Sequence, residues 1–86
     1  MTSEQISKFI EASHLAKNPV KIEFKTRSSI NGLFIQATDY TELKLKNFWR
    51  IVAEPRIKDF KATNDNNLSR IFNGTEFTKL SAIKEK

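Results

Sequence analysis

Cysteine is absent from the 86 residues, which excludes a disulfide framework, a thiolate zinc site and a cysteine nucleophile. A single histidine, His14, excludes a multi-histidine metal centre within one chain. Only two glycines are present, Gly32 and Gly74, so neither a G-x-G-x-x-G turn nor a Walker loop can be built. No apolar run approaches the roughly 18 residues of a membrane-spanning helix. The opening Met1-Thr2-Ser3-Glu4-Gln5 is not a signal peptide. These absences lead to the expectation of a soluble, cytoplasmic chain. No nucleophile, base and oxyanion donors stand together, and His14 has no Ser or Asp partner at a useful spacing, so no enzyme, cofactor or metal is expected.

The length suits one domain, 1–86, whose core buries about 60–65% of the unfolded surface. Fifteen basic and ten acidic residues give a net charge of +5. The excess lies in the body of the chain. Residues 20–52 hold six basic side chains against three acidic ones, whereas Lys8, Lys17, Glu4 and Glu11 cancel in the first nineteen. A positive field of this kind favours anionic partners such as nucleic acid.

Residues 2–18 read as an N-terminal helix. Thr2 and Gln5 have capping-box spacing, Ile6, Phe9 and Ile10 form an apolar stripe, and Pro19 stops the segment. The period then changes to two. Val20, Ile22 and Phe24 alternate with charges, and after a turn at 26–29 a second strand is expected over 30–38, with Gly32 marking a bulge or close approach. Thr38-Asp39-Tyr40 reads as a turn, and Glu42–Lys46 as a strand with Leu43 and Leu45 inward. Either Asn47 turns the chain ahead of the strand-like Phe48-Trp49-Arg50-Ile51-Val52-Ala53, or one long bent strand runs from Thr41 to Ala53; Pro55 ends it. In 56–67, Ile57 and Phe60 anchor either a helical turn or a strand fragment. Asn73-Gly74 between apolar runs is a hairpin signal, and a helical turn over 68–73 is the competing reading. The charged residues 82–86 read as a frayed tail.

A helix followed by about five short strands gives a fold that is mainly β, a small, strongly bent five-stranded SH3/Sm-like barrel over 20–81. Two stretches resemble the Sm-like family. Val20 to Leu45, with its strand glycine Gly32, its Asp39 turn and Leu43-Lys44-Leu45, is similar to the first Sm motif. Ile71-Phe72-Asn73-Gly74 followed by Thr75–Leu80 is similar to the second. Asn73 stands where that motif usually has Arg, and Glu42 best matches the first motif's Asn. The resemblance implies subunits joined strand to strand into a ring that binds single-stranded RNA.

The residues themselves suggest a nucleic-acid site. Tyr40, an aromatic at a turn, could stack on an unpaired base. Arg27, Lys44 and Arg50 would contact phosphate, and Asn73 a base. The alternative is a protein-interaction or structural module whose exposed aromatic strand meets a partner. A homo-oligomer is compatible with either reading.

Overall fold

The computed structural model describes residues 1–15 and 17–83. Helix α1 (Ser3–Ser13) precedes strands β1 (Val20–Phe24) and β2 (Ile30–Phe34). Helix α2 (Tyr40–Leu45), strand β3 (Phe48–Ala53) and helix α3 (Glu54–Thr63) follow. Strand β4 (Arg70–Asn73), a 3-10 turn (Gly74–Glu76) and strand β5 (Phe77–Ala82) complete the chain. The five strands form one antiparallel sheet in the order β4-β3-β2-β1-β5.

The capping box expected at Thr2 is present: the Gln5 amide donates to Thr2 Oγ1 at 3.1 Å and the Thr2 amide to Gln5 Oε1 at 3.0 Å. Helix α1 ends at Ser13, short of residue 18, with His14 as its C-cap. Its stripe is narrower than expected. Ile6 and Ile10 are fully buried, whereas Phe9 is half-buried and stacks on the His14 ring at 4.7 Å. The helix covers the sheet face that carries Val20, Ile22, Phe34, Trp49, Ile51 and Phe77. Helix α3 covers the other face, where Phe60 and Ile57 meet Leu33, Ile35 and Val52. With both faces covered, β2 and β3 bury consecutive residues, which explains the unbroken apolar runs Leu33-Phe34-Ile35 and Ile51-Val52.

The sheet is open. β4 and β5 are its two edges, and no ladder joins them, so closure into a barrel is not seen. It is nevertheless strongly curled. A chain of four residue steps reaches about 14 Å at full extension, yet it links edges that would lie roughly 19 Å apart in a flat five-stranded sheet. The Phe24 ring of β1 and the Phe72 ring of β4 come within 6.0 Å of each other, although two strands separate β1 from β4.

Several sequence expectations are corrected. Glu42–Lys46 is not a strand. Residues 40–45 form α2, for which Glu42 in the first turn, Lys44 in the last and helix-favouring Leu, Glu and Lys suffice. Leu45, expected inward, is 83% exposed. Asn47, in a left-handed conformation at φ 61°, turns the chain into β3. The second strand ends at Phe34 instead of running to 38. Strand β3 ends at Ala53, ahead of Pro55 as expected, and Pro55 occupies the first turn of α3, where its missing N–H costs nothing. Asn73-Gly74 is not a hairpin, because β4 pairs with β3 and β5 with β1. Asn73 instead caps the 3-10 turn, its Oδ1 accepting the Thr75 amide at 3.0 Å. The ladder irregularity falls at Glu23/Phe24 and not at Gly32, which sits in regular register against Val20 and Ala53. β5 runs to Ala82, and residues 84–86 of the expected tail lie outside the described residues.

Candidate nucleic-acid interface

The sheet's curl brings residues from distant parts of the chain to the gap beside β4. Phe24 lies at the end of β1, just past the ladder irregularity, and Phe72 faces it from β4. Arg27, in the turn between β1 and β2, places its guanidinium 4.9 Å from the centre of the Phe24 ring and 5.8 Å from that of Phe72. Arg70 lies two residues before Phe72 and therefore on the same face of β4.

These four residues line one lobe of a surface groove, about 410 Å³, whose rim is completed by Asn73 and Glu76. A second lobe of about 400 Å³ shares Arg27, Arg70 and Phe72 and adds Arg56 from the first turn of α3. Ile30, Pro55 and Leu68 supply its apolar wall. Three exposed guanidinium groups thus surround an aromatic floor. Among the described residues, Glu76 is the one acidic residue lining either lobe. Among the described residues, none of the three arginines has an ion-pair partner.

The other basic candidates are bound internally. Tyr40 begins α2, and its ring packs edge-on against Trp49 at 6.1 Å. Its hydroxyl donates to Glu11 Oε2 of α1, and Lys44 Nζ donates to the same oxygen at 2.8 Å. Burial, and then the hydrogen bond to Glu11, raise the Tyr40 phenol well above its usual range. The Lys44 ammonium, followed by the Tyr40 hydroxyl, holds the Glu11 carboxyl below its usual value. Arg50 grips Asp39 in a two-pronged pair, Nε to Oδ1 at 3.0 Å and Nη2 to Oδ2 at 2.9 Å, with Nη1 reaching Ser69 Oγ at 3.4 Å. This pairing lowers the Asp39 pKa and raises that of Arg50.

Of the five residues singled out in the sequence, the structure brings Arg27 and Asn73 to one groove. Tyr40 and Lys44 meet at Glu11, and Arg50 at Asp39. Sequence reasoning missed Phe24, Phe72, Arg56 and Arg70. Their spacing along the chain carries no linear signal, because only the sheet's curl joins them.

His14 Nδ1 is buried with no hydrogen-bond partner among the described residues, and the ring's contact is the stack on Phe9. Among the described residues there is no cluster of three or more His, Asp or Glu side chains that could hold a metal ion. No helix among them is long and apolar enough to cross a membrane. Comparison with protein-family models, with curated proteins and with solved structures finds no match to this chain.

Proposed function

We propose that the chain is a non-enzymatic module that binds single-stranded nucleic acid in the groove between Arg27, Arg56 and Arg70. The observation that carries this reading is that Arg27, Arg70 and Arg56, none of them ion-paired among the described residues, line two adjoining lobes that share Phe72, with Arg27 over the Phe24 and Phe72 rings. Guanidinium groups attract phosphate, and aromatic faces or the Arg plane itself stack on splayed bases.

Fluorescence anisotropy with a labelled single-stranded RNA decamer tests the reading. The expected affinity is micromolar at low salt, falling as salt rises. Arg70→Ala weakens binding and reduces the salt slope by about one. Arg27→Ala, which also uncovers the floor, weakens binding, whereas Tyr40→Phe leaves it unchanged. Absence of binding at about 50 μM protein, in the middle of the non-specific range, overturns the proposal.

The Sm-like small-barrel architecture is part of the same proposal. It is supported by the strand order, by the curl of the sheet and by the three-residue 3-10 link between its edges. The open edges β4 and β5 favour self-assembly by strand pairing, which a light-scattering mass distinguishes from a monomer. Ile71, 50% exposed on the β4 edge, favours a protein partner as the second reading. Binding that ignores salt and survives Arg70→Ala would support that reading instead.

A further inference from the structure

Asn73 and Glu76 give the first lobe a rim with chemistry of its own. Asn73 is the extended N-cap of the 3-10 turn, Glu76 is the turn's last residue, and both line the first lobe. Asn73 Oδ1 is already occupied, accepting from the Thr75 amide at 3.0 Å and from Thr75 Oγ1 at 2.8 Å. That fixes the side chain and leaves its Nδ2 group as a pure donor. The Glu76 carboxylate makes no hydrogen bond or ion pair among the described residues, and it is acceptor-only. A fixed donor and a two-oxygen acceptor without a partner among the described residues therefore line the same lobe as the aromatic floor.

On the basis of the nucleic-acid reading of this groove, we infer that the first lobe selects guanine, seating the base against the Arg27 guanidinium that covers the Phe24–Phe72 floor, with its Watson–Crick edge against Asn73 and Glu76. Guanine is the base that offers two adjacent donors on that edge, N1–H and the N2 amino group, to the two oxygens of one carboxylate. Its O6 next to them accepts from Asn73 Nδ2. Adenine and cytosine place a ring-nitrogen acceptor beside their amino group, and uracil flanks its N3–H with carbonyl oxygens. Each of these would turn a lone pair toward the second Glu76 oxygen. The acid also keeps phosphate out of this corner, so the backbone runs past Arg27, Arg70 and Arg56 toward the second lobe.

Anisotropy with the full chain and four labelled pentaribonucleotides, UUGUU, UUUUU, UUAUU and UUIUU with inosine in the middle, tests the inference. The guanine strand is expected to bind roughly tenfold tighter than the uracil and adenine strands, in the range of one good bidentate base contact. The inosine strand, lacking the N2 amino group, loses most of that gain. Glu76→Gln, an exposed position whose folding is checked by circular dichroism, is expected to abolish the preference, the guanine strand then binding no tighter than the uracil strand. Equal affinity for all four strands, with Arg70→Ala still weakening each, overturns guanine selection and leaves the groove's nucleic-acid role standing. If none of the four binds, the nucleic-acid reading itself falls, and guanine selection with it.

Discussion

Asn47 holds the junction where α1, β3 and the 3-10 turn meet, and it offers the sharpest test of how this fold is secured. Its Nδ2 donates to the Met1 carbonyl at 3.0 Å, and its Oδ1 accepts from Trp49 Nε1 at 2.8 Å. Its own carbonyl accepts from the Gly74 amide at 2.8 Å. All of this is done from a left-handed backbone at φ 61°. In Asn47→Ala the indole N–H of Trp49, a residue only 1% exposed, loses its partner inside the core. A stranded buried donor costs about 1–3 kcal/mol, and a left-handed conformation costs an alanine about 1–2 kcal/mol. The expected loss is about 3 kcal/mol, a large share of the 5–15 kcal/mol that stabilises a typical domain. Asn47→Gly separates the two causes, because glycine adopts the same backbone freely and leaves only the hydrogen-bond loss. It should fall between wild type and Asn47→Ala. Urea denaturation followed by the fluorescence of Trp49, the sole tryptophan, measures the series directly. A loss below about 1 kcal/mol for Asn47→Ala, or alanine and glycine variants of equal stability, would refute this account of the junction.

Gly32→Val is expected to destabilise by about 1–3 kcal/mol through overpacking. Even a bare Cβ would stand 2.5 Å from Ile51 Cγ2 and 3.3 Å from the Val52 carbonyl, so an unchanged or higher urea midpoint would contradict the close approach. Acid should weaken the fold through Asp39 and Glu11, whose pKa values Arg50 and Lys44 depress from the usual 3.8 and 4.5. A depressed carboxyl contributes stability that is complete above its unfolded pKa and is lost as pH falls through the folded value, so midpoints should hold from about pH 6 to 8 and drop below about pH 5. Asp39→Asn should flatten part of that drop, and an unaltered acid profile would show that the Arg50 pair contributes nothing.

The elements legible in the sequence are those whose local pattern and tertiary surroundings agree. Val20, Ile22 and Phe24 alternate because one side of β1 faces the core, and the Thr2–Gln5 box announces α1 with no tertiary help. Leu43 and Leu45 alternate too, yet α2 is a helix. Its place is set by contacts that no short window contains: Tyr40 on Trp49, Tyr40 and Lys44 on Glu11, and Asp39 on Arg50. Helix α3 buries one residue, Phe60, and its Pro55 can equally stop a strand or open a helix, so its periodic signal is faint. At Gly74 the hairpin expectation assumed that glycine was needed for a positive φ. No glycine has one; a Cβ there would collide with Asn47 Oδ1 and stand 2.6 Å from Ile6 Cδ1. The constraint is space, and space is a property of the assembled fold.

The candidate site was legible in kind but only partly in place, for a reason that concerns pairing more than position. A basic residue serves an external anion only if no acid within the fold already holds it. Arg50 and Lys44 looked as available as Arg27 in the sequence, and Asp39, eleven residues before Arg50, looked like a turn residue. Folding sets Asp39 against Arg50 and Glu11 against Lys44, and so withdraws two cations from the list. It also leaves Arg27, Arg56 and Arg70 without an ion-pair partner among the described residues, lining one lobe although 43 positions separate the first from the last. The net charge of +5 is thus divided by the fold into cations that hold its own elements together and cations that face outward. Only the second group can give binding a salt slope, which is why Arg70→Ala and not Arg50→Ala is the informative substitution.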